Sequence, residues 1–174
     1  MGRSDARVQD GRRGVNNLTF DAVGRKFIED EEESGIAKTT AYNDGTGTWT
    51  IGFGHTTAAG LPRVYPGMTI TAAEADTILE SDLSSVEADV NHHVTVTINQ
   101  NQFNAIGSFD FNTGALDRSG LLTLINNGHI DDKAAITAAF QAWRWARNGG
   151  VMVPELLGRR TREAALFYTA VAGV

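Results

Sequence analysis

The sequence has no cysteine and only three prolines among its 174 residues. The lack of cysteine excludes disulfides, thiolate catalysis and cysteine-ligated metals. No apolar run approaches the roughly 20 residues that a helix needs to span a bilayer. The N-terminus also lacks the apolar core of a signal peptide. We therefore expect a protein that is made in a cytosol, does not insert into membranes, and needs help for any export.

Negative charge dominates, with a formal net charge of -6, but it is unevenly placed. Residues 18–90 carry 13 acids against four bases, whereas residues 133–174 carry six bases against two acids. The acidic N-terminal half argues against a nucleic-acid groove, so we expect no nucleic-acid partner. The basic C-terminal end could face an anionic polymer or could simply be solvated.

Hydrophobic periodicity and capping signals predict a mostly helical chain. Residues 1–17 show no apolar period and are interpreted as a flexible arm, followed by one folded domain over residues 18–174. Thr19 is the expected N-cap of a first helix that runs into a cluster of glutamates. Capping boxes at Thr71–Glu74 and Asn99–Gln102 predict two further helices.

Residues 41–56, AYNDGTGTWTIGFGHT, predict one small antiparallel hairpin. A turn at Asp44-Gly45 joins strands over 41–44 and 48–54. Alternation places Trp49, Ile51 and Phe53 on one face. The other face then carries Thr48, Thr50, Gly52 and Gly54. Such a face is either an open floor for a large ligand or the mark of a tight bend. The fold class is α+β, with a small β lobe over about 36–65 and a helical lobe over about 71–174.

Several stretches in this order carry a family resemblance. They are Ala41-Tyr42 with Asp44, Thr50–Thr56, Pro66–Thr71, Gln100–Phe103, Phe109–Gly114 and Arg159–Glu163. Over roughly residues 19–170 the chain resembles the phage-type lysozymes of glycoside hydrolase family 24. The resemblance implies a lysozyme-like fold and a muramidase that cleaves the β-1,4 bond between N-acetylmuramic acid and N-acetylglucosamine in bacterial peptidoglycan. We expect a monomer without cofactor or metal.

The family's catalytic set is a glutamate at the end of the first helix, with an aspartate and a threonine in the hairpin. The hairpin members correspond to Asp44 and Thr50. The chemistry explains these residue types, because a glycosidic oxygen needs a proton from a desolvated acid while a second carboxylate stays ionised. A hydroxyl beside that carboxylate can orient the attacking water.

The general acid has three candidates, Glu31, Glu32 and Glu33. In the family the glutamate lies nine residues before the aspartate, a position held here by Gly35, so the chain has extra residues between helix and hairpin. Glu32 lies at the edge of the buried helix face, which suits a partly desolvated acid, and we prefer it. Glu33, on the wet face but nearest Gly35, is the alternative, and Glu31 comes third.

Other residues are candidates for substrate binding. They are Gly52, Phe53, His55, Phe111 and Asn112. His55 is expected to hold a structural ion pair beside the cleft rather than to act in catalysis. Phe111 could stack on a sugar or lie in the core, and the Asn112 amide suits N-acetyl groups. Arg159, Arg160 and Arg162 could meet the anionic wall or form ion pairs on a helix surface.

The resemblance implies an endolysin that causes host lysis. It would stay in the host cytoplasm until membrane lesions form and then act in the periplasm and cell wall. Two alternatives remain, a muralytic domain of a virion or tail protein and a non-catalytic glycan-binding module on a lysozyme scaffold. Intact Asp44 and Thr50 argue against the second alternative.

Overall fold

A computed structural model describes residues 15–33, 35–45, 47–145 and 150–171, with only the main chain described for Glu33. The chain forms a small sheet inserted after the first of six helices, as the α+β prediction required. The elements are α1 Ala22–Glu33, β1 Lys38–Asn43, β2 Trp49–Gly52, β3 His55–Thr56, α2 Ala72–His93, α3 Gln100–Thr113, α4 Gly120–Asn126, α5 Lys133–Gln141 and α6 Pro154–Phe167.

The sheet has three antiparallel strands in the order β1-β2-β3. Tyr42 lies opposite Thr50, and Thr50 lies opposite Thr56. The prediction of one strand over 48–54 is wrong, because Gly52 and Gly54 adopt φ of 65° and 86°. These left-handed values suit glycine, and they turn the chain back to form β3. The glycines therefore mark a tight turn and not an open strand face.

The start of the packed chain lies earlier than residue 18. Asn16 is buried, and its Nδ2 donates to the carbonyls of Val94 and Val96 at 3.2 and 2.8 Å. Its Oδ1 accepts from the N–H of Ile98. The remainder of the predicted arm, residues 1–14, lies outside the described residues.

The cap of the first helix lies two residues later than predicted, at Asp21 and not at Thr19. α1 starts at Ala22, and the Asp21 carboxylate accepts from the N–H of Gly24 at 2.9 Å, so Asp21 takes the capping role predicted for Thr19. The two predicted capping boxes are confirmed at Thr71–Glu74 and Asn99–Gln102. Pro154 occupies the first turn of α6, where its missing N–H has no helical partner to lose.

Helix α3 forms the axis of the helical lobe. Every residue from 103 to 110 is buried, and Phe103, Ile106 and Phe109 lie in the main core. A second cluster joins the lobes by packing Ile28 of α1 and Phe53 of the β2–β3 turn against α2. Within the ranges given above, no helix combines the length and apolarity needed to cross a membrane.

Candidate active site

The last turn of α1 carries the three candidate acids, and the structure separates two of them. Both carboxylate oxygens of Glu31 accept from Arg162, the second at 2.8 Å. Only one oxygen of Glu32 bonds to a guanidinium group: Oε1 accepts from Arg159 Nη1 at 2.5 Å. The side chain of Glu33 lies outside the described residues.

The second oxygen of Glu32 points toward the β lobe. Oε2 lies over Gly54 in the β2–β3 turn, where an added Cβ would fall 2.9 Å from it. Real Cβ atoms essentially never come so close, so any larger residue at Gly54 would push the Glu32 carboxylate out of this position. The carboxylate therefore lies between the two lobes, and its side chain is 17% exposed.

Arg159 connects Glu32 to the core of the helical lobe. It is 5% exposed, and its Nε donates to Glu163 Oε1 at 3.1 Å. Burial alone would lower the pKa of Arg159, but the charges of Glu32 and Glu163 outweigh burial and raise it. Nη2 donates to the carbonyl of Ser108 at 3.3 Å. The guanidinium is thus fixed at three of its nitrogens.

Glu163 holds a second arginine as well. Its Oε2 accepts from Arg160 Nη1 at 2.7 Å, and both side chains are fully buried. Arg160 Nη2 donates to Asn112 Oδ1, and the guanidinium lies 5.2 Å from the ring centroid of Phe109. Arg160 Nε finds no hydrogen-bond partner among the described residues. The interpretation of Arg159 and Arg160 as surface ion-pair residues is therefore wrong, since both are buried; only Arg162 is exposed, at 58%.

The hairpin brings Asp44 and Thr50 to the same face of the sheet. Asp44 follows β1, and its N–H donates to the carbonyl of Thr48 at 3.0 Å while its Oδ1 accepts from the Thr48 N–H at 3.2 Å. Directly opposed residues share a face, and side chains alternate along a strand. Asp44, Thr48 and Thr50 therefore project to one side. Asp44 is exposed, whereas Thr50 is 5% exposed.

Two residues predicted to bind substrate lie elsewhere. A Cβ at Gly52 would contact Ala75 of α2 at 3.6 Å, so Gly52 packs against a helix and offers no open floor. Phe53 is 6% exposed and packs with Ile28, Leu79 and neighbours in the cluster that joins the lobes. It does not share a face with Trp49 and Ile51, because the chain turns after Gly52.

His55 and Phe111 are also held in the fold. His55 is 1% exposed, with Nδ1 2.8 Å from Asp82 Oδ2 and Nε2 2.9 Å from the carbonyl of Pro62. It forms the structural pair expected for it and does not face a substrate. Phe111 is partly buried against the cluster around Phe53, which agrees with its alternative as a core residue.

A small cavity of about 200 Å³ lies away from these residues, among Asp89, His93, Asp110, Leu116 and Arg118. None of the candidate catalytic residues lines it. The cavity therefore does not bring the sequence-predicted catalytic residues together.

Sequence reasoning missed the buried network behind Glu32. The signal was present in α6, where Arg159 and Arg160 precede Glu163 by four and three residues, the spacings at which helical side chains meet. An acid on α6 that can reach two arginines at once indicates a charged cluster facing inward.

Comparisons with protein families, sequences and solved structures identify relatives of this chain. The profile of the phage lysozyme family matches residues 32–163. The endolysin of Salmonella phage P22 is 39% identical over 129 residues, covering 74% of this chain and 86% of that protein. The crystal structure of a P22 lysozyme mutant superposes with a TM-score of 0.71 at 35% identity, covering 88% of this chain and all of the other. The muramidase domain of SpmX from Asticaccaulis excentricus gives a TM-score of 0.76 at 30% identity, with the same coverage. The chain belongs to the phage lysozyme family.

Proposed function

We propose that this lysozyme hydrolyses the β-1,4 bond of peptidoglycan by general acid catalysis, with Glu32 as the proton donor. The position of the Glu32 carboxylate between the lobes carries this proposal. Arg159 holds one oxygen of this carboxylate in place, and the other oxygen is directed at the β lobe, where the glycosidic oxygen would lie.

Glu31 is a poor alternative, because its two oxygens are already hydrogen-bonded to Arg162. A general acid needs an oxygen that can approach the leaving group. Glu32 has one, since only Oε1 bonds Arg159 while Oε2 points toward the β lobe. Glu33 remains the alternative that experiment has to test.

Asp44 and Thr50 are proposed as the ionised carboxylate and the water-orienting hydroxyl. Their positions on one sheet face support this assignment, because diagonal neighbours on paired strands lie roughly 7–8 Å apart. That separation leaves room for one water between the two side chains. The exposure of Asp44 lets solvent stabilise its charge.

Asn112 is proposed to bind an N-acetyl group. A guanidinium group can only donate hydrogen bonds, so the Asn112 oxygen must face Arg160. This contact fixes the orientation of the amide and turns its NH2 group to the other side. An NH2 donor is the group that an N-acetyl carbonyl requires.

The place of action is also a proposal. A lysozyme that accumulates in the host cytoplasm reaches the wall only after membrane lesions form, which would couple hydrolysis to lysis. Induced cells should stay intact until the inner membrane is permeabilised and should then lyse. Lysis without permeabilisation would contradict this part. The monomeric state remains a prediction, to be measured by light scattering.

The decisive experiment compares the turbidity loss of outer-membrane-permeabilised cells for wild type, Glu32→Gln, Glu33→Gln and Asp44→Asn. We expect Glu32→Gln and Asp44→Asn to lose on the order of 100-fold or more in rate, while Glu33→Gln keeps its activity. Products should carry muramic acid reducing ends; anhydro ends would indicate a lytic transglycosylase. An inactive wild type would contradict the enzyme, and an active Glu32→Gln would contradict the choice of acid.

A further inference from the structure

One buried carboxylate contacts two arginines that each continue to a proposed site residue. Glu163 is fully buried on α6, and each of its oxygens accepts hydrogen bonds. Oε1 accepts from Arg159 at 3.1 Å and from the Ser108 hydroxyl at 2.9 Å, and Oε2 accepts from Arg160 at 2.7 Å. Burial raises the pKa of Glu163, but two arginines and the Ser108 hydroxyl donate to its oxygens and favour the ionised form.

The two arginines continue in different directions. Arg159 ends on Glu32, the proposed acid, and Arg160 ends on Asn112, the proposed contact for an N-acetyl group. The result is a chain of alternating charge in which the two carboxylates balance the two guanidinium groups. The centre of this chain, Arg159, Glu163 and Arg160, lies in the protein interior, whereas the Glu32 and Asn112 ends are partly buried.

Fold stability alone does not explain this arrangement. Buried ion pairs can often be replaced by well-packed apolar residues without loss of stability, because desolvation offsets much of their attraction. The network also leaves Arg160 Nε without a hydrogen-bond partner in the part of the chain that the structure describes. A costly cluster that ends on two candidate site residues points to a role in the site.

We propose that Glu163 is a positioning residue for the site, holding Glu32 through Arg159 and Asn112 through Arg160. This inference rests on the proposed function. Glu163 shares the positive charge of Arg159 with Glu32 and so limits how strongly Arg159 stabilises ionised Glu32. Without that competing carboxylate, Glu32 would lose its proton more easily and Asn112 would lose its fixed orientation.

The other charged groups near Glu32 and Glu163 are unchanged in Glu163→Gln and Glu163→Asp. Among the described residues, Glu32 faces Arg159 and Arg160 on α6 and neighbours Glu31, which pairs with Arg162. Glu163 faces the same two arginines, Arg162 at longer range and the Ser108 hydroxyl.

The test is the pH–activity profile of Glu163→Gln on a soluble peptidoglycan oligomer. Activity should fall at alkaline pH, where the general acid loses its proton. In Glu163→Gln this alkaline limb of the profile should move to lower pH by about one unit. KM should rise several-fold as Asn112 loosens. Glu163→Asp keeps the charge and should keep the limb at the wild-type pH even if its rate falls. A role in folding alone would lower the whole profile without moving the limb.

Asp110→Asn is the matched control, because Asp110 is a buried carboxylate on α3 that accepts from the Leu116 N–H and has no contact with this network. Its limb should stay in place. If Glu163→Gln is folded and its limb is unmoved, the proposal fails.

Should that variant not fold, Arg160→Met frees Glu163 to compete harder for Arg159, and the limb should then move to higher pH; an unmoved limb overturns the proposal.

A readout without catalysis separates this inference from the proposed function. Carbon NMR titration of the Glu32 carboxyl, assigned with Glu32→Gln, should give a lower midpoint in Glu163→Gln than in wild type. A shifted midpoint in a protein without hydrolytic activity would support the positioning role and overturn the enzyme. Equal Glu32 midpoints in Glu163→Gln and in an active wild type would overturn the positioning role and support the enzyme.

Discussion

The two sides of the proposed site are held in different ways. On the hairpin side, Asp44 is exposed and is fixed by backbone contacts with Thr48, four residues along the chain. On the helix side, Glu32 is held by Arg159, which is 127 residues away and almost fully buried. The hairpin side is a local structure, and the helix side is a tertiary one.

This difference predicts how stability and activity separate. A substitution of an exposed side chain at a turn can remove function while leaving the fold intact. A substitution in a buried charge network leaves other charges uncompensated, so stability and function fall together. Three predictions test this division, beginning with the largest expected effect.

Arg159→Met should lower the free energy of unfolding by about 3–5 kcal/mol, because Glu163 and Glu32 each lose a counter-ion in or near the interior. Denaturant unfolding measures this loss, and activity should fall in the same variant. Asp44→Asn is the comparison from the other side and should change stability by less than about 0.5 kcal/mol. Equal losses in the two variants would remove the distinction between the sides.

The pair formed by His55 and Asp82 predicts a pH-dependent anchor between the sheet and α2. Burial lowers the pKa of His55, but its hydrogen bonds to Asp82 and the Pro62 carbonyl and the charge of Asp82 outweigh burial and raise it. A raised folded pKa means that the stabilisation is fully present below the unfolded value of about 6.5 and is lost as pH rises through the folded pKa.

Unfolding measured at about pH 6 and about pH 9 should therefore show a loss on the order of 1 kcal/mol in wild type. Asp82→Asn should be less stable at the lower pH and lose most of this dependence. His92 is exposed, so His92→Gln should show the same pH dependence of stability as wild type. A pH dependence that survives in Asp82→Asn would place its origin in another group.

Gly54 and Gly52 form a matched pair at the junction of the two sides. Both have positive φ, so alanine at either position should cost about 1 kcal/mol of stability. Only at Gly54 would the new Cβ displace the Glu32 carboxylate. Gly54→Ala should therefore lose about tenfold or more in activity per folded molecule, since displaced catalytic groups are costly. Gly52→Ala should retain activity, and a loss there would restore Gly52 as a substrate contact.

Local signals predicted the parts of this molecule that depend on nearby residues. The capping boxes at Thr71 and Asn99 and the α+β class follow from spacings of a few residues, and the structure contains them. Asp44, directly after β1, and Thr50, on the neighbouring strand β2, share a face because both belong to one hairpin. The prediction from alternating side chains was wrong after Gly52. Alternation assumes an extended strand, whereas the backbone turns there through positive φ.

The helix side could not be predicted in the same way. Nothing near Glu32 in the sequence indicates Arg159, and acidic neighbours on one helix differ only in which distant side chain each one meets. The buried Arg160 is equally unexpected, because a charged residue is most often solvated and only its partner Glu163 makes burial tolerable. Such pairings depend on how α1, α3 and α6 pack.

The anchorage of Asn16 has a consequence for protein engineering. Asn16 binds the segment just beyond the C-terminal end of α2, whereas the β lobe packs against Ala75 near the other end of that helix. At 1.5 Å per residue, the two points are roughly 28 Å apart. A delivery peptide or carrier domain fused ahead of residue 15 would thus emerge well away from the groove, leaving it clear for a glycan strand.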